Sequence, residues 1–223
     1  MERVLLGVAA LALAVAASPG AGAGEIPEAA IVLEVLPAPA PGFVPEAAPP
    51  RFVLLDDGTV FVGGTSDVVS AKLDKGDTKG IEKQVSRVRK LPGLGSSVTL
   101  GPGTKRYRLT LKKGPTILAA GDAGQATAAF RPLAELLVSL ECFDHAALRP
   151  YRASQYALHV QQGRLPGGCR PWSFGVPPAG SGPRIVPADT ASDWPVGATA
   201  GSACAGDAAW IVALRPLLPG ERP

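Results

Sequence analysis

The sequence predicts an α+β fold in which an antiparallel sheet of hairpin-linked strands carries two helices packed on one face. Three observations lead to this prediction. The 223 residues include 27 glycines and 23 prolines, which is too many turn formers for a helical bundle. Hydrophobic residues make up 46% of the chain and charged residues 18%, which excludes wholesale disorder. Short β-rich runs bounded by glycine or proline outnumber the two helical stretches.

The first residues have the order of a secretory signal. Arg3 precedes an uncharged apolar run over residues 4–17, and a small-residue stretch follows, ending at Ala23. The run is shorter than the ~20 residues of a membrane-spanning helix, so we expect cleavage after Ala23 rather than a permanent anchor. The mature protein is expected to be secreted or periplasmic, with no transmembrane segment left after cleavage.

We expect three parts along the chain: a signal peptide, a lead-in and a folded domain. We expect residues 1–23 to be the signal peptide and residues 24–50 to form a short strand, at 30–36, followed by a Pro/Ala-rich lead-in. Residues 51–223 are expected to form a single α+β domain. A division of that domain into lobes 51–122 and 123–223 is left open.

Two hairpins are predicted in the first half of the chain. Residues 52–55 and 59–64 flank Asp56-Asp57-Gly58, and an Asp-Gly dipeptide accepts the positive φ of a tight turn. This reading assigns both aspartates to a turn, since adjacent positions point apart and do not share a substrate. Residues 98–100 and 105–113 are expected to form a second hairpin around a Gly-Pro-Gly turn. Further strands are predicted at 68–73, 115–119, 156–162 and 209–214.

Two helices are predicted from apolar periodicity. The first covers residues 77–90, with Asp77 as its N-cap and a stop at residues 91–93. Its core stripe is Ile81, Val85 and Val88. The second lies within residues 125–143, where Pro132 either starts the main body of the helix or kinks it.

Positive charge is concentrated in the middle of the chain. Residues 72–113 contain twelve basic and three acidic residues, so the remainder is net negative although the whole chain carries only +3. We expect the outer sides of the first helix and of strand 105–113 to form one basic face that binds an anionic polymer or an acidic protein. The candidate anion-binding residues are Lys79, Lys83, Arg87, Lys90, Arg106, Arg108 and Lys112.

A simpler reading of the same pattern is that these lysines and arginines only keep two exposed faces in water. Nucleic acid is a disfavoured partner under either reading. Only Tyr107 is interleaved with the basic strand, so no row of aromatic side chains is available to stack on bases.

Three cysteines allow one disulfide and leave one thiol. Cys169 and Cys204 both lie in glycine-rich, loop-like sequence, where the chain can adopt disulfide geometry, whereas Cys142 falls in the second helix. We therefore predict a Cys169–Cys204 bond in an oxidising compartment, with Cys142–Cys169 as the alternative.

No catalytic, cofactor-binding or metal-binding residues are assigned. Cys142 and His145 form a single Cys-x-x-His spacing with Asp144 between them, and no second half occurs at ligand spacing. His159 alternates within an apolar strand and is expected to be a partly buried or edge histidine. Serine-nucleophile, metalloprotease and phosphate-loop motifs do not occur in the sequence.

Three tryptophans fall in the last quarter of the chain. Trp172, Trp194 and Trp210 either line a carbohydrate platform or anchor a loop-rich region into the core, and the second arrangement is the commoner one.

Three stretches together resemble a group of secreted bacterial proteins that share the same order of segments. They are residues 50–60 (PRFVLLDDGTV), residues 156–160 (YALHV) and the ending at 213–221 (ALRPLLPGE). No activity, cofactor or ligand is established for that group. The resemblance therefore implies one continuous domain over about residues 42–221 and implies no reaction.

Two classes of function remain open from the sequence. The first is an exported, non-catalytic binding or interaction protein whose basic face meets an anionic envelope polymer or an acidic partner. The second is a secreted hydrolase-type enzyme, or an enzyme inhibitor, with its site in the C-terminal part. Two histidines and no recognisable nucleophile favour the first class.

Overall fold

The computed structural model describes residues 25–36, 38, 40, 42–64, 67–178 and 182–223. The predicted signal peptide at 1–23 lies outside these residues, so export stays a prediction. Within the described ranges the chain forms thirteen strands and three α-helices, which confirms the α+β class. None of the described helices is long and apolar enough to cross a membrane.

The strands are β1 (Ala29–Leu36), β2 (Phe52–Leu55), β3 (Thr59–Val62), β4 (Val69–Lys72), β5 (Ser97–Thr99), β6 (Arg106–Leu111), β7 (Thr116–Ala120), β8 (Arg149–Pro150), β9 (Gln155–Gln162), β10 (Arg170–Pro171), β11 (Arg184–Pro187), β12 (Gly201–Ala205) and β13 (Ala208–Pro216). The helices are α1 (Lys75–Arg89), α2 (Arg131–Glu141) and α3 (Ala188–Ala191). Short 3-10 turns occupy Pro45–Ala47, Ala123–Gln125 and Ala128–Phe130.

The strands form two sheets. The larger has eight strands in the order β5-β7-β6-β1-β2-β3-β4-β8, and the smaller has five in the order β10-β12-β13-β9-β11. Neighbouring strands are antiparallel except in the pairs β5–β7 and β10–β12. The early strand β1 is an inner strand, because it pairs with both β2 and β6.

The first predicted hairpin is confirmed, and the second is wrong. β5 does not pair with β6; it lies parallel to β7, while β6 and β7 form the hairpin. The chain leaving β5 passes close to the end of β7. A Cβ atom on Gly121 would overlap the carbonyl oxygen of Gly101, and a Cβ atom on Gly101 would meet the carbonyl oxygen of Gln125, so glycine is required at both positions. β5 lies next to β7, on the side away from β6.

Both long helices pack on one face of the eight-stranded sheet, as predicted. Ile81, Val85 and Val88 of α1 are buried there, which confirms the predicted stripe. The residues of α2 in the same core are Leu133, Ala134, Leu136, Leu137 and Leu140. A hydrogen bond of 2.8 Å from Ser139 Oγ to Gln84 Oε1 joins the two helices beside this core.

The start of α1 differs from the prediction. The helix begins at Lys75 and its N-cap is Asp74, because Asp74 Oδ1 accepts hydrogen bonds from the backbone N–H groups of Gly76 and Asp77 at 2.6 and 2.9 Å. These bonds lower the pKa of the Asp74 carboxyl, with the bond from Asp77 as the largest cause. Pro132 lies in the first turn of α2, so it starts that helix and does not kink it.

A second apolar cluster lies on the other face of the larger sheet and joins the two sheets. Leu218, just after β13, packs there with Val53 and Phe61. The ring of Tyr151 meets Phe61 edge to face at 5.1 Å, and its hydroxyl donates to the carbonyl of Leu217 at 3.0 Å. The C-terminal segment thereby connects the smaller sheet to the larger one.

The charged residues in the stretches that carry the resemblance have structural contacts. Arg51 donates from Nε to the Glu141 carbonyl and from Nη1 to the Gly63 carbonyl, both at 2.6 Å, which ties the end of α2 to the first hairpin. Arg215 and Glu221 form a buried ion pair at the C-terminus. These contacts give Arg51, Arg215 and Glu221 a role in stabilising the fold.

Candidate functional site

A row of four cations lies on the outward side of α1. Lys79, Lys83, Arg87 and Lys90, called the α1 ridge below, are all exposed and lie opposite the buried stripe. Successive members stand three or four residues apart, which corresponds to steps of about 5–6 Å along the helix. None of the four forms an ion pair with a carboxylate in the described part of the chain.

This arrangement is costly for the helix. Like charges at i and i+4, as in Lys79 with Lys83 and Lys83 with Arg87, destabilise a helix by about 0.2–0.5 kcal/mol per pair. Lys75 adds a further pair with Lys79 near the positive end of the helix dipole. Only the cations of the last turn lie at the end of α1 where the dipole favours them. Helix stability therefore does not explain the row.

The strand residues predicted to extend this surface lie elsewhere. Tyr107 and Leu109 point from β6 into the core beneath α1, so alternation directs Arg106 and Arg108 to the opposite face of the sheet. Arg108 Nη1 lies 3.2 Å from Glu34 Oε2 on that face. The expectation of a single surface made by the helix and the strand is thus not met.

Lys112 occupies an intermediate place. Its carbonyl accepts a hydrogen bond of 2.6 Å from Arg89 Nη2, which puts it beside the C-terminal end of α1. Its ammonium group, however, pairs with the carboxylate of Asp56. Lys112 therefore borders the α1 ridge but is locally neutralised.

Other cations of the basic region are also paired. Lys72 Nζ lies 2.6 Å from Asp57 Oδ2, and this contact with two hydrogen bonds from Thr59 lowers the pKa of Asp57 to about 2. Lys105 Nζ lies 2.7 Å from Glu141 Oε1, and the hydrogen bond raises the pKa of Lys105. The α1 ridge differs from these pairs because its charge is not compensated by an adjacent carboxylate.

Searches against family models, curated proteins and solved structures find no match to this chain.

The Cys-x-x-His spacing does not form a reactive pair. His145 Nε2 lies 3.2 Å from Asp77 Oδ2, and Nδ1 accepts a hydrogen bond from the Ala147 N–H at 3.2 Å. Both ring nitrogens are thus engaged in joining α1 to the loop after α2, while Cys142 is an exposed free thiol. No group of three or more His, Cys, Asp or Glu side chains that could hold a metal ion occurs among the described residues.

Two of the tryptophans anchor loops into the core of the smaller sheet. Phe174 packs between Trp172 and Trp194, at centroid distances of 5.0 and 4.8 Å. Trp172 Nε1 donates to the Val176 carbonyl at 2.6 Å, and Trp194 Nε1 donates to Ser173 Oγ at 3.1 Å. These contacts turn the rings inward and favour the anchoring interpretation over a carbohydrate platform.

The predicted disulfide is present. Cys169 and Cys204 are bonded with their Cα atoms 5.7 Å apart, which joins the glycine-rich loop before β10 to strand β12. The alternative Cys142–Cys169 pairing is thereby excluded.

The sequence did not indicate a cavity on one face of the smaller sheet. Its volume is about 320 Å³, and its walls come from four separate parts of the chain. His159, Gln161 and Ile211 lie on the sheet, while Val44 and Glu46 come from the segment around the first 3-10 turn. Alternation along β9 puts the first two on one side, but no local pattern brings Glu46 to them.

Proposed function

We propose that the protein is an exported, non-catalytic binding protein that holds an anionic polymer along the α1 ridge. The observation that carries this proposal is that four adjacent cations on the exposed side of one helix form no ion pair with a described carboxylate, whereas Lys72, Lys105, Arg108 and Lys112 of the same basic region each do. Uncompensated cations in a row create a local positive potential that attracts a polyanion and steers its approach.

The shape of the α1 ridge favours a linear partner. The eleven residue steps from Lys79 to Lys90 cover about 16 Å of helix, which is longer than a single small anion. A flexible polymer with a negative charge in each repeat could meet the cations one after another. No aromatic residue occurs in α1, so base stacking contributes nothing and a nucleic acid is a poor candidate.

The compartment supports an envelope polymer as the partner. The charged, apolar and small-residue order of positions 1–23 is that of an export signal, and the disulfide fits an oxidising space. A protein in that space meets anionic polysaccharides and phosphate-containing polymers of the cell envelope, and adsorption to them needs charge rather than a catalytic group.

The test compares two variants with the same loss of charge. One changes the α1 ridge (Lys79→Gln, Lys83→Gln, Arg87→Gln and Lys90→Gln). The control changes four exposed arginines away from α1 (Arg106→Gln, Arg149→Gln, Arg152→Gln and Arg164→Gln). Retention on isolated cell envelope is measured against increasing salt.

We expect the α1 ridge variant to elute at clearly lower salt than the wild type, and the control variant to elute close to the wild type. Equal weakening of both variants would show that net charge alone matters. Unchanged retention of the α1 ridge variant would exclude α1 as the binding surface.

A further inference from the structure

A groove with an apolar floor lies between α1 and the beginning of β1. Its volume is about 260 Å³. The floor consists of Ile31, Leu54 and Val85, which belong to the apolar core between the larger sheet and its helices. Protein interiors are normally packed without gaps, so a groove that reaches core side chains is space that an apolar ligand can fill.

A β-bulge in β1 leaves this space. The pairing of β1 with β2 shifts by one residue between Ala29 and Ile31, so Ala30 is an extra residue with no partner in β2. As a result Ala30 and Ile31 both pack on the α1 side of the sheet, whereas Ala29 packs in the cluster on the other face. Ala30 lines the groove together with Ser86 of α1, and both side chains are too small to fill it.

The guanidinium of Arg89 is held at one end of the groove. Its Nη2 donates to the Lys112 carbonyl at 2.6 Å, and the side chain makes no ion pair with a described carboxylate. This leaves the donors on Nε and Nη1 available to a ligand. The bond to the carbonyl also restricts the side chain beforehand, so less freedom is lost when a ligand binds.

The charges along the groove set the direction of a ligand. The ammonium group of Lys112 pairs with Asp56, so Arg89 is the cation of the rim that has no carboxylate partner among the described residues. Glu82 lies at the other end of the groove, two helical turns earlier on α1, which is about 10 Å along the helix. An anionic group is therefore attracted to the Arg89 end and repelled from the Glu82 end.

We propose that this groove binds a medium-chain alkyl carboxylate, the anion of a fatty acid, whose carboxylate accepts hydrogen bonds from Arg89 and whose chain lies on the apolar floor. Arginine presents a fork of donors that matches a carboxylate. Val85 lies one turn before Arg89 on the same side of α1, so the apolar floor begins beside these donors. A ligand with one anionic end and an aliphatic chain uses both features.

The test uses the full chain and three probes with six-carbon chains: hexanoate, 1-hexanol and hexylammonium. Binding near neutral pH is followed from the backbone amide resonances of Ala30, Leu54 and Ser86, with Ala203 of the smaller sheet as the reference. We expect saturable shifts with hexanoate, roughly fivefold weaker binding of hexanol, and the weakest response to hexylammonium, which Arg89 repels.

Chain length tests the apolar floor separately. Butyrate has two fewer CH₂ groups to bury than hexanoate and should bind roughly tenfold more weakly. Equal affinities for butyrate and hexanoate would contradict a site that holds the chain.

Two variants with the same loss of charge decide whether Arg89 is the recognising cation. Arg89→Gln is expected to remove the preference for hexanoate over hexanol. Lys83→Gln, at an exposed cation of α1 that does not line the groove, should leave that preference unchanged. Equal binding of hexanoate and hexanol by the wild type, or an unchanged preference in Arg89→Gln, would overturn the proposal.

A third variant tests the place of the chain. Ser86 is exposed, so Ser86→Leu adds an apolar side chain at the groove without entering the core, and it should weaken the binding of hexanoate and hexanol alike. Undiminished binding of both probes would show that the chain lies elsewhere. No residue of the α1 ridge lines the groove, so the α1 ridge variant should keep its affinity for hexanoate even where polymer binding is lost.

Discussion

Arg108 and Glu34 form a salt bridge across the neighbouring strands β6 and β1, with Nη1 and Oε2 3.2 Å apart. Both side chains are mostly buried, at 20% and 13% exposure, and both lie on the sheet face opposite α1. Arg108 and the α1 ridge are therefore close in the sequence but lie on opposite sides of the larger sheet. Arg108 of β6 is held by a carboxylate of the neighbouring strand, whereas the cations of the α1 ridge form no ion pair with a described carboxylate.

The buried Arg215–Glu221 pair is expected to be important for stability. Both side chains are almost completely buried, and Glu221 Oε2 also accepts the backbone N–H of Leu218 at 2.9 Å. Glu221→Gln leaves the guanidinium without its counter-charge, so we predict a loss of about 3–5 kcal/mol in the free energy of unfolding. Urea denaturation of the wild type and of Glu221→Gln measures this difference in the free energy of unfolding. The exposed Glu135→Gln should change stability by less than about 0.5 kcal/mol, and an equally small change in Glu221→Gln would contradict the prediction.

Acid should destabilise the protein through His159. Burial, and secondly the nearby Arg215 guanidinium, lower its folded-state pKa to about 4, below the ordinary value of 6.5 for histidine, so the unfolded chain binds more protons between these two values. The contribution of His159 to stability is present above pH 6.5 and is lost as the pH falls towards 4, by up to about 3 kcal/mol.

The variant His159→Gln isolates this effect, because every other titratable group is present in both proteins. The difference in unfolding free energy between wild type and variant should decrease on acidification across this range. Parallel pH profiles of the two proteins would show that the imidazole titrates alike in the folded and unfolded states.

The disulfide should stabilise the C-terminal part of the chain. Cys169 and Cys204 are 35 residues apart, and closing a loop of that length is worth about 4 kcal/mol in the chain-entropy model. We predict this loss for the double variant Cys169→Ser with Cys204→Ser, measured by denaturation under oxidising conditions. Cys142→Ser, at an exposed free thiol, should have little effect. A large loss in Cys142→Ser would contradict the assigned pairing.

The N-cap of α1 makes a smaller contribution. Asp74→Ala removes the acceptor for two backbone N–H groups and should cost about 1 kcal/mol. Asp74→Asn keeps a side-chain oxygen at the same place and should retain most of that stability. Thermal denaturation of the two variants compares them directly, and equal losses would mean that capping is not the cause.

The sequence predicted the elements that depend on neighbouring residues. The Asp-Gly turn at Gly58, the stripe through Val85 and the glycine context of Cys169 and Cys204 all carry local signals, and the structure confirms each of them. The predicted N-cap was wrong by three residues because Asp74 and Asp77 are equally good caps in sequence, and tertiary contacts decide between them. Asp77 contacts His145 instead.

Relationships between distant segments were not predictable. β5 pairs with β7, and the backbones of Gly101 and Gly121 come close beside this pair; apolar periodicity within each segment does not indicate such a long-range contact. The separation of Arg108 from the α1 ridge depends on which sheet face the helix covers. The cavity is lined by Glu46, from the segment between β1 and β2, and by His159 of β9, so neither residue alone indicated it.

The salt dependence of binding to a defined linear polyanion tests the α1 ridge most directly. Inorganic polyphosphate carries regularly spaced charge and no bases, so its affinity reports electrostatic contacts alone. With four cations engaged, the slope of log K against log salt should become shallower by about three in the four-site α1 ridge variant and stay unchanged in the four-arginine control. Identical slopes for the wild type and the α1 ridge variant would contradict the proposed binding surface.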